Sequence, residues 1–134
     1  GLRGEGKAWT GNPTDLWAIA GAVYMSLLGP EGFAEVGRLI VSRARYAAKL
    51  LDAIPGVRVV WPDTQFKEFV VNFDDTGKSV AAINDSLREK GIFGGKDISG
   101  EGLGVGKSAL YCVTAVHTAA DIQRLSASMK EVLS

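Results

Sequence analysis

Hydrophobic positions first gather at helical spacing. Leu16, Ile19, Ala20, Val23 and Leu27 form one stripe, the pattern of an amphipathic helix. It begins at Asn12-Pro13, with Asn12 as the cap, Pro13 in the first turn and Asp15 placed for a reciprocal cap. Gly29 should close it. Trp17, Tyr24, Met25 and Leu28 spread apolar surface onto the other faces, so this helix calls for burial on more than one side. Either it is central to the domain, or it docks on a surface outside this chain. From Pro30 the periodicity resumes through Phe33, Val36, Leu39, Ile40, Ala44, Ala47, Leu50 and Leu51. That spacing predicts a second helix with these positions inward and Arg38, Arg43, Arg45 and Lys49 on a solvated face.

Pro55-Gly56 stops that helix, and Val57 to Trp61 reads as a short strand ended by Pro62-Asp63. A second strand is expected over Phe66 to Phe73, antiparallel to the first because the connection is short. Asp74-Asp75-Thr76-Gly77 is turn chemistry. Ser79 through Lys90 follows as a helix with Val80, Ile83 and Leu87 inward and Gly91 as its left-handed stop. A short third strand is expected to begin at Ile92, and a fourth over Ala109 to Ala115, with an irregular glycine-rich loop between them. The last helix starts at Thr118, which Asp121 answers three residues on as a capping box, and buries Ile122, Leu125, Met129, Val132 and Leu133. The fold class is therefore α+β: a small, largely antiparallel sheet of three to four strands with helices on one face.

Composition narrows the function. The 134 residues suit a single domain with one core. Fifteen Lys and Arg balance fifteen Asp and Glu, which leaves no general pull toward nucleic acid or anionic membranes. The apolar stretch Leu16 to Leu28 is too short for the roughly 20 residues that span a bilayer. Cys112 is the only cysteine, so it forms no internal disulfide and reads as a buried core thiol. One unpaired thiol and an opening without a secretory pattern point to a cytoplasmic protein. Gly1 in place of an initiating methionine points to a piece of a longer chain.

Candidate chemistry is sparse. The glycines between Gly100 and Gly106 resemble a nucleotide-binding loop only superficially, because they lead into a strand and no helix N-terminus waits for a phosphate. His117 is the only histidine, which leaves no multi-histidine metal site and no triad; it reads as a structural loop residue. The acidic pairs Asp74/Asp75 and Asp97/Glu101 lie in a turn and beside glycines, not in a recognisable cleft. Lys96 follows Gly94-Gly95 and has Asp97 as a neighbour, which would favour its charged form and oppose a nucleophilic role.

The segments Ala22 to Gly32, Phe66 to Phe73, Gly91 to Ile98, and Cys112-Val113-Thr114 with His117-Thr118 together resemble, in order and spacing, the C-terminal part of subunit 1 of the glycine cleavage P-protein. This is the decarboxylating glycine dehydrogenase of two-subunit type. The resemblance covers nearly the whole chain. It implies the small C-terminal domain of a fold-type-I pyridoxal-phosphate enzyme, with a large domain upstream of Gly1.

In such a system glycine is decarboxylated and its aminomethyl carbon passes to the lipoyl arm of the H-protein. The resemblance places pyridoxal phosphate and its Schiff-base lysine on the partner, P-protein subunit 2. No catalytic or cofactor-binding residue is then expected in this chain, and no metal. Kindred small domains carry a substrate-carboxylate arginine on the strand before the last helix, where this chain has Leu110. Gly94, Gly95, Lys96 and Asp97 remain as candidates to line the cleft. The alternative is a free-standing α+β module that binds or senses a small ligand, with the glycine loop as its lid.

Overall fold

The computed structural model describes residues 14–60, 67–114 and 116–134, and in the first helix the side chains at 29, 31, 32 and from 34 onward. The expected cap at Asn12-Pro13 and the ends of the first two predicted strands at Trp61 and Phe66 lie outside the described residues.

The first described element is α1, Thr14–Asp52, which is two helices meeting at Gly29. There φ is 70° and ψ is −177°, a combination that only glycine adopts freely. Pro30 adds a second reason, since a proline disfavours helical ψ in the residue before it. Beyond the break, Ala44, Ala47, Ala48 and Leu51 are buried as the periodicity predicts. Leu39 is not: it stands 42% exposed. Toward the break the stripe continues past the buried core of the described residues. Arg43 also departs from the expected solvated face, donating to the His117 carbonyl at 2.7 Å. After Asp52 the chain turns through Ile54 and Gly56 (φ 84°). The Asp52 carboxylate accepts from the Val59 N–H at 2.8 Å, tying the helix end to the sheet.

The strands β1 (Arg58–Val60), β2 (Glu68–Asn72), β3 (Lys96–Asp97) and β4 (Ser108–Cys112) form a sheet in the order β1-β2-β4-β3. Every neighbouring pair is antiparallel. Val59 faces Val71, which in turn faces Ala109. One face of the sheet, carrying Val59, Phe69, Val71, Ala109 and Tyr111, joins the helices in the main core. Because side chains alternate along a strand, the row Val60, Val70, Leu110 and Lys96 belongs to the opposite face. The third strand starts at Lys96 and not at Ile92, because Ile92 is consumed in closing the helix before it.

That helix is α2, Val80–Glu89, capped by Ser79, whose hydroxyl accepts from the Ala82 N–H at 3.1 Å. Gly91 donates to the Arg88 carbonyl and Ile92 to the Leu87 carbonyl, at 2.9 and 3.0 Å. This pairing with Gly91 at φ 78° is a Schellman closure, and Ile92 and Leu87 both join the core. The final helix α3, Ala119–Leu133, has the predicted capping box: Thr118 Oγ1 accepts from the Asp121 N–H and Asp121 Oδ2 accepts from the Thr118 N–H. It packs against both α1 and α2. Ile122, Leu125 and Met129 are its fully buried positions, each contributing about 1.5–3 kcal/mol relative to exposure.

Candidate functional site

The segment Gly94 to Asp97 runs from α2 to the sheet edge, and its four residues divide into two pairs. Gly94 and Gly95 are buried, whereas Lys96 and Asp97 are exposed on β3. A Cβ on Gly94 would lie 2.0 Å from Asn84 Oδ1, and one on Gly95 would lie 2.5 Å from the Tyr111 ring and 2.8 Å from the Leu110 carbonyl. The glycines are thus required by close packing of the segment between α2 and β4. Asn84 Nδ2 donates to the Gly95 carbonyl at 2.9 Å. Sequence patterning missed Asn84, although its position four residues after Val80 and three before Leu87 sets a polar residue on the inward stripe.

Tyr111 stacks on Phe69, with ring centroids 6.0 Å apart and planes 15° from parallel. Burial pushes its phenol far above the ordinary range, and the Gly95 backbone offsets only part of that. Asn84 Oδ1 is buried without a hydrogen-bond partner, and Tyr111 Oη is buried with only the Gly95 backbone near it, outside good hydrogen-bond geometry.

On the exposed half, Lys96 Nζ lies 3.6 Å from Glu101 Oε1. The expected pairing with Asp97 does not form, because adjacent strand residues point to opposite sides. Asp97 Oδ1 instead accepts from the Ser99 N–H at 2.9 Å and starts the next turn. Leu110 sits half-buried in the middle of β4, with Val70 and Lys96 as its register neighbours.

The glycine loop is fastened at its base. Asn72 Nδ2 donates to the Val105 carbonyl at 2.9 Å and to Ser108 Oγ at 3.1 Å. The Lys107 N–H donates to Asp74 Oδ1 at 2.8 Å. That bond and the Asn72 side chain hold the Asp74 carboxyl below the usual carboxylate range. Asp74, read from sequence as turn chemistry, is therefore also the loop's anchor. At the tip, Leu103 is 61% exposed between Gly102 and Gly104, both at positive φ. The loop leads directly into β4, as expected.

His117 is buried, and its Nδ1 accepts from the Thr114 N–H at 2.9 Å. It organises the turn before α3, a structural role. Cys112 is also buried, and burial with the nearby Glu68 charge pushes its thiol up while Lys67 opposes the shift. Among the described residues no group of three His, Cys, Asp or Glu side chains is arranged to hold a metal. Every described lysine is exposed, so none of them offers the desolvated amine that favours imine formation with a carbonyl cofactor. No described helix is long and apolar enough to cross a membrane.

This helix-covered antiparallel sheet recurs as one part of larger solved proteins. A C-DES mutant with glycine covalently linked to the PLP cofactor superposes with a TM-score of 0.60 over 74% of this chain and 24% of that one, at 18% identity, a likeness of fold alone. A stronger likeness is to the crystal structure of glycine decarboxylase, the P-protein of the glycine cleavage system, in inhibitor-bound form. Its TM-score is 0.72 at 34% identity, covering 90% of this chain and 26% of that one.

In sequence the chain is related to probable glycine dehydrogenase (decarboxylating) subunit 1. It is 36% identical over 114 residues to the Desulforamulus reducens protein and 42% over 120 residues to the Sulfurisphaera tokodaii protein. These alignments take in 85% and 89% of this chain. The chain spans about a quarter of the length of the relatives it matches. No protein-family model matches it.

Proposed function

We propose that this chain is the small C-terminal domain of subunit 1 of a cytoplasmic, decarboxylating glycine dehydrogenase, with the large domain of the same subunit upstream. It serves glycine decarboxylation and aminomethyl transfer as a structural and interface element. The observation that carries this reading is the joint match in sequence and fold to one quarter of the P-protein, at 34–42% identity.

Pyridoxal phosphate, when bound in the assembled enzyme, supplies the electron sink for the carbanion that decarboxylation leaves. The exposed lysines and the core-bound Tyr111 and Cys112 of this chain do not fit that group. The reading assigns the cofactor site to the partner, subunit 2, with glycine and the lipoyl H-protein engaging the assembly. Within this chain the cleft is lined from the β3 edge, where Lys96 and Asp97 are presented while Gly94 and Gly95 hold that edge close to α2 and β4.

The decisive experiment removes this domain. Subunit 1 lacking residues 1–134 is combined with subunit 2, H-protein and labelled glycine, and release of carbon dioxide is measured. Loss of release is expected, and undiminished release overturns the reading. The domain alone should also show no pyridoxal-phosphate absorbance after incubation with the cofactor.

A further inference from the structure

Asn84, Gly94 and Gly95 each concede stability for the same piece of backbone. Asn84 stands on the inward stripe of α2 with the buried Val80 and Leu87, where asparagine is a poorer helix former than alanine or leucine. Its Oδ1 is buried without a hydrogen-bond partner, and a polar atom left so is destabilising. Gly94 and Gly95 are not at positive φ, so their backbone angles do not call for glycine. Space does: Asn84 Oδ1 fills the place of one Cβ, and the Tyr111 ring and Leu110 carbonyl fill the other. Each glycine carries the added entropic cost of ordering a bare backbone.

What these residues achieve is a fixed approach to β3. At one end Asn84 Nδ2 holds the Gly95 carbonyl at 2.9 Å; at the other the Ile98 N–H donates to the Ser108 carbonyl at 3.0 Å. Lys96 and Asp97 are the exposed residues between the two ties. β3 is two residues long and ends the sheet, with β4 as its one strand neighbour. So short an edge pairing restrains its residues weakly, and the tie from α2 supplies the rest. Resting on the functional reading above, we infer that Asn84 is a positioning residue for glycine decarboxylation, whose amide sets the place of Lys96 in the cleft and which acts through Lys96 without touching substrate.

The test uses full-length subunit 1 assembled with subunit 2, H-protein and labelled glycine. It compares Asn84→Ala, Lys96→Met, the double variant and Thr118→Ala, the last a structural control that weakens the domain at the cap of α3. Asn84→Ala is expected to lower kcat/KM for carbon dioxide release by about tenfold or more, since a misplacement of about 1 Å is enough for that. Its loss should divide between kcat and KM as that of Lys96→Met does, and the double variant should fall no lower than the weaker single variant. Hydrogen exchange of residues 94–98 should quicken in Asn84→Ala and stay unchanged in Thr118→Ala. If Asn84→Ala does not fold, Asn84→Leu, which lacks the donor and suits the inward stripe, is held to the same criteria. Single losses that multiply in the double variant overturn the inference, as does undiminished release from Asn84→Ala or from Lys96→Met. A loss of the same size in Thr118→Ala also overturns it, because stability alone would then account for the effect. The domain-removal experiment is read separately. Undiminished release there removes the functional reading, whereas a required domain with undiminished release from Asn84→Ala removes the positioning role alone.

Discussion

Asn84 on α2 donates to the Gly95 carbonyl at 2.9 Å while its own Oδ1 occupies the space that a Gly94 side chain would need. One amide thus both holds the β3 edge and dictates the residue beside it. Asn84→Ala should cost about 1–3 kcal/mol, because the Gly95 carbonyl loses its partner in a partly buried setting. Gly95→Ala should cost at least as much, since its Cβ would meet the Leu110 carbonyl, a backbone atom that cannot rotate away. Urea unfolding monitored by circular dichroism measures both.

Tyr111→Phe should behave in the opposite way. It removes a buried hydroxyl whose one neighbouring hydrogen-bonding group, the Gly95 backbone, is poorly placed, and keeps the ring stacked on Phe69. A neutral or stabilising change is expected, because a poorly partnered buried polar group is a liability. A loss of more than about 1 kcal/mol in urea unfolding would show that Oη is in fact satisfied.

The Asp74 anchor carries a pH signature. Its carboxyl is held below the ordinary value, so the folded state prefers the charged form more than the unfolded state does. The stabilisation is therefore present above the ordinary aspartate value near about 4 and is lost as the pH falls through the lower folded value. The Lys107 amide resonance should titrate below the ordinary aspartate range, and Asp74→Asn should abolish that titration.

Lys96 separates a cleft role from a structural one. Its ion pair with Glu101 is exposed and long, and such pairs contribute about 0–1 kcal/mol. Lys96→Met should leave the unfolding midpoint within that margin and reduce carbon dioxide release by the assembled enzyme. Unchanged release would take Lys96 out of the cleft.

Thr118→Ala tests the cap of α3. Losing the hydroxyl that accepts from the Asp121 N–H should cost about 0.5–2 kcal/mol. Because α3 packs against both other helices, the loss should appear as one cooperative shift in thermal unfolding.

Local chemistry was legible wherever a residue type answers to its own neighbours. Gly29 before Pro30, Gly91 after Lys90 and Thr118 before Asp121 each announced a boundary that the structure contains. Strand ends were less legible because they depend on the neighbouring strand. Ile92 looks like a strand residue until α2 uses its N–H, and Lys96 looks paired with Asp97 until the pleat turns them apart. Leu39 followed the periodicity of its helix, but whether an apolar position is covered depends on how far the rest of the fold extends. At the candidate site, the roles of Asn84 and Asp74 rest on contacts across 11 and 33 residues, which no local spacing encodes.

The two-sided greasiness of β2 and β4 has a consequence for how the sheet finds its alignment. A strand with one wet face resists slipping by a residue, since the slip would turn its oily side outward. Here Phe69 and Val71 on one side and Val70 on the other are all buried, so a slipped pairing would suffer little from mere oiliness. What disfavours it is polar and steric. Only the observed alignment lets Asn72 reach Ser108 and Val105 together and sets the bare backbone of Gly95 against Tyr111. Replacing Asn72 with an aliphatic residue would therefore threaten the uniqueness of the strand pairing more than its strength.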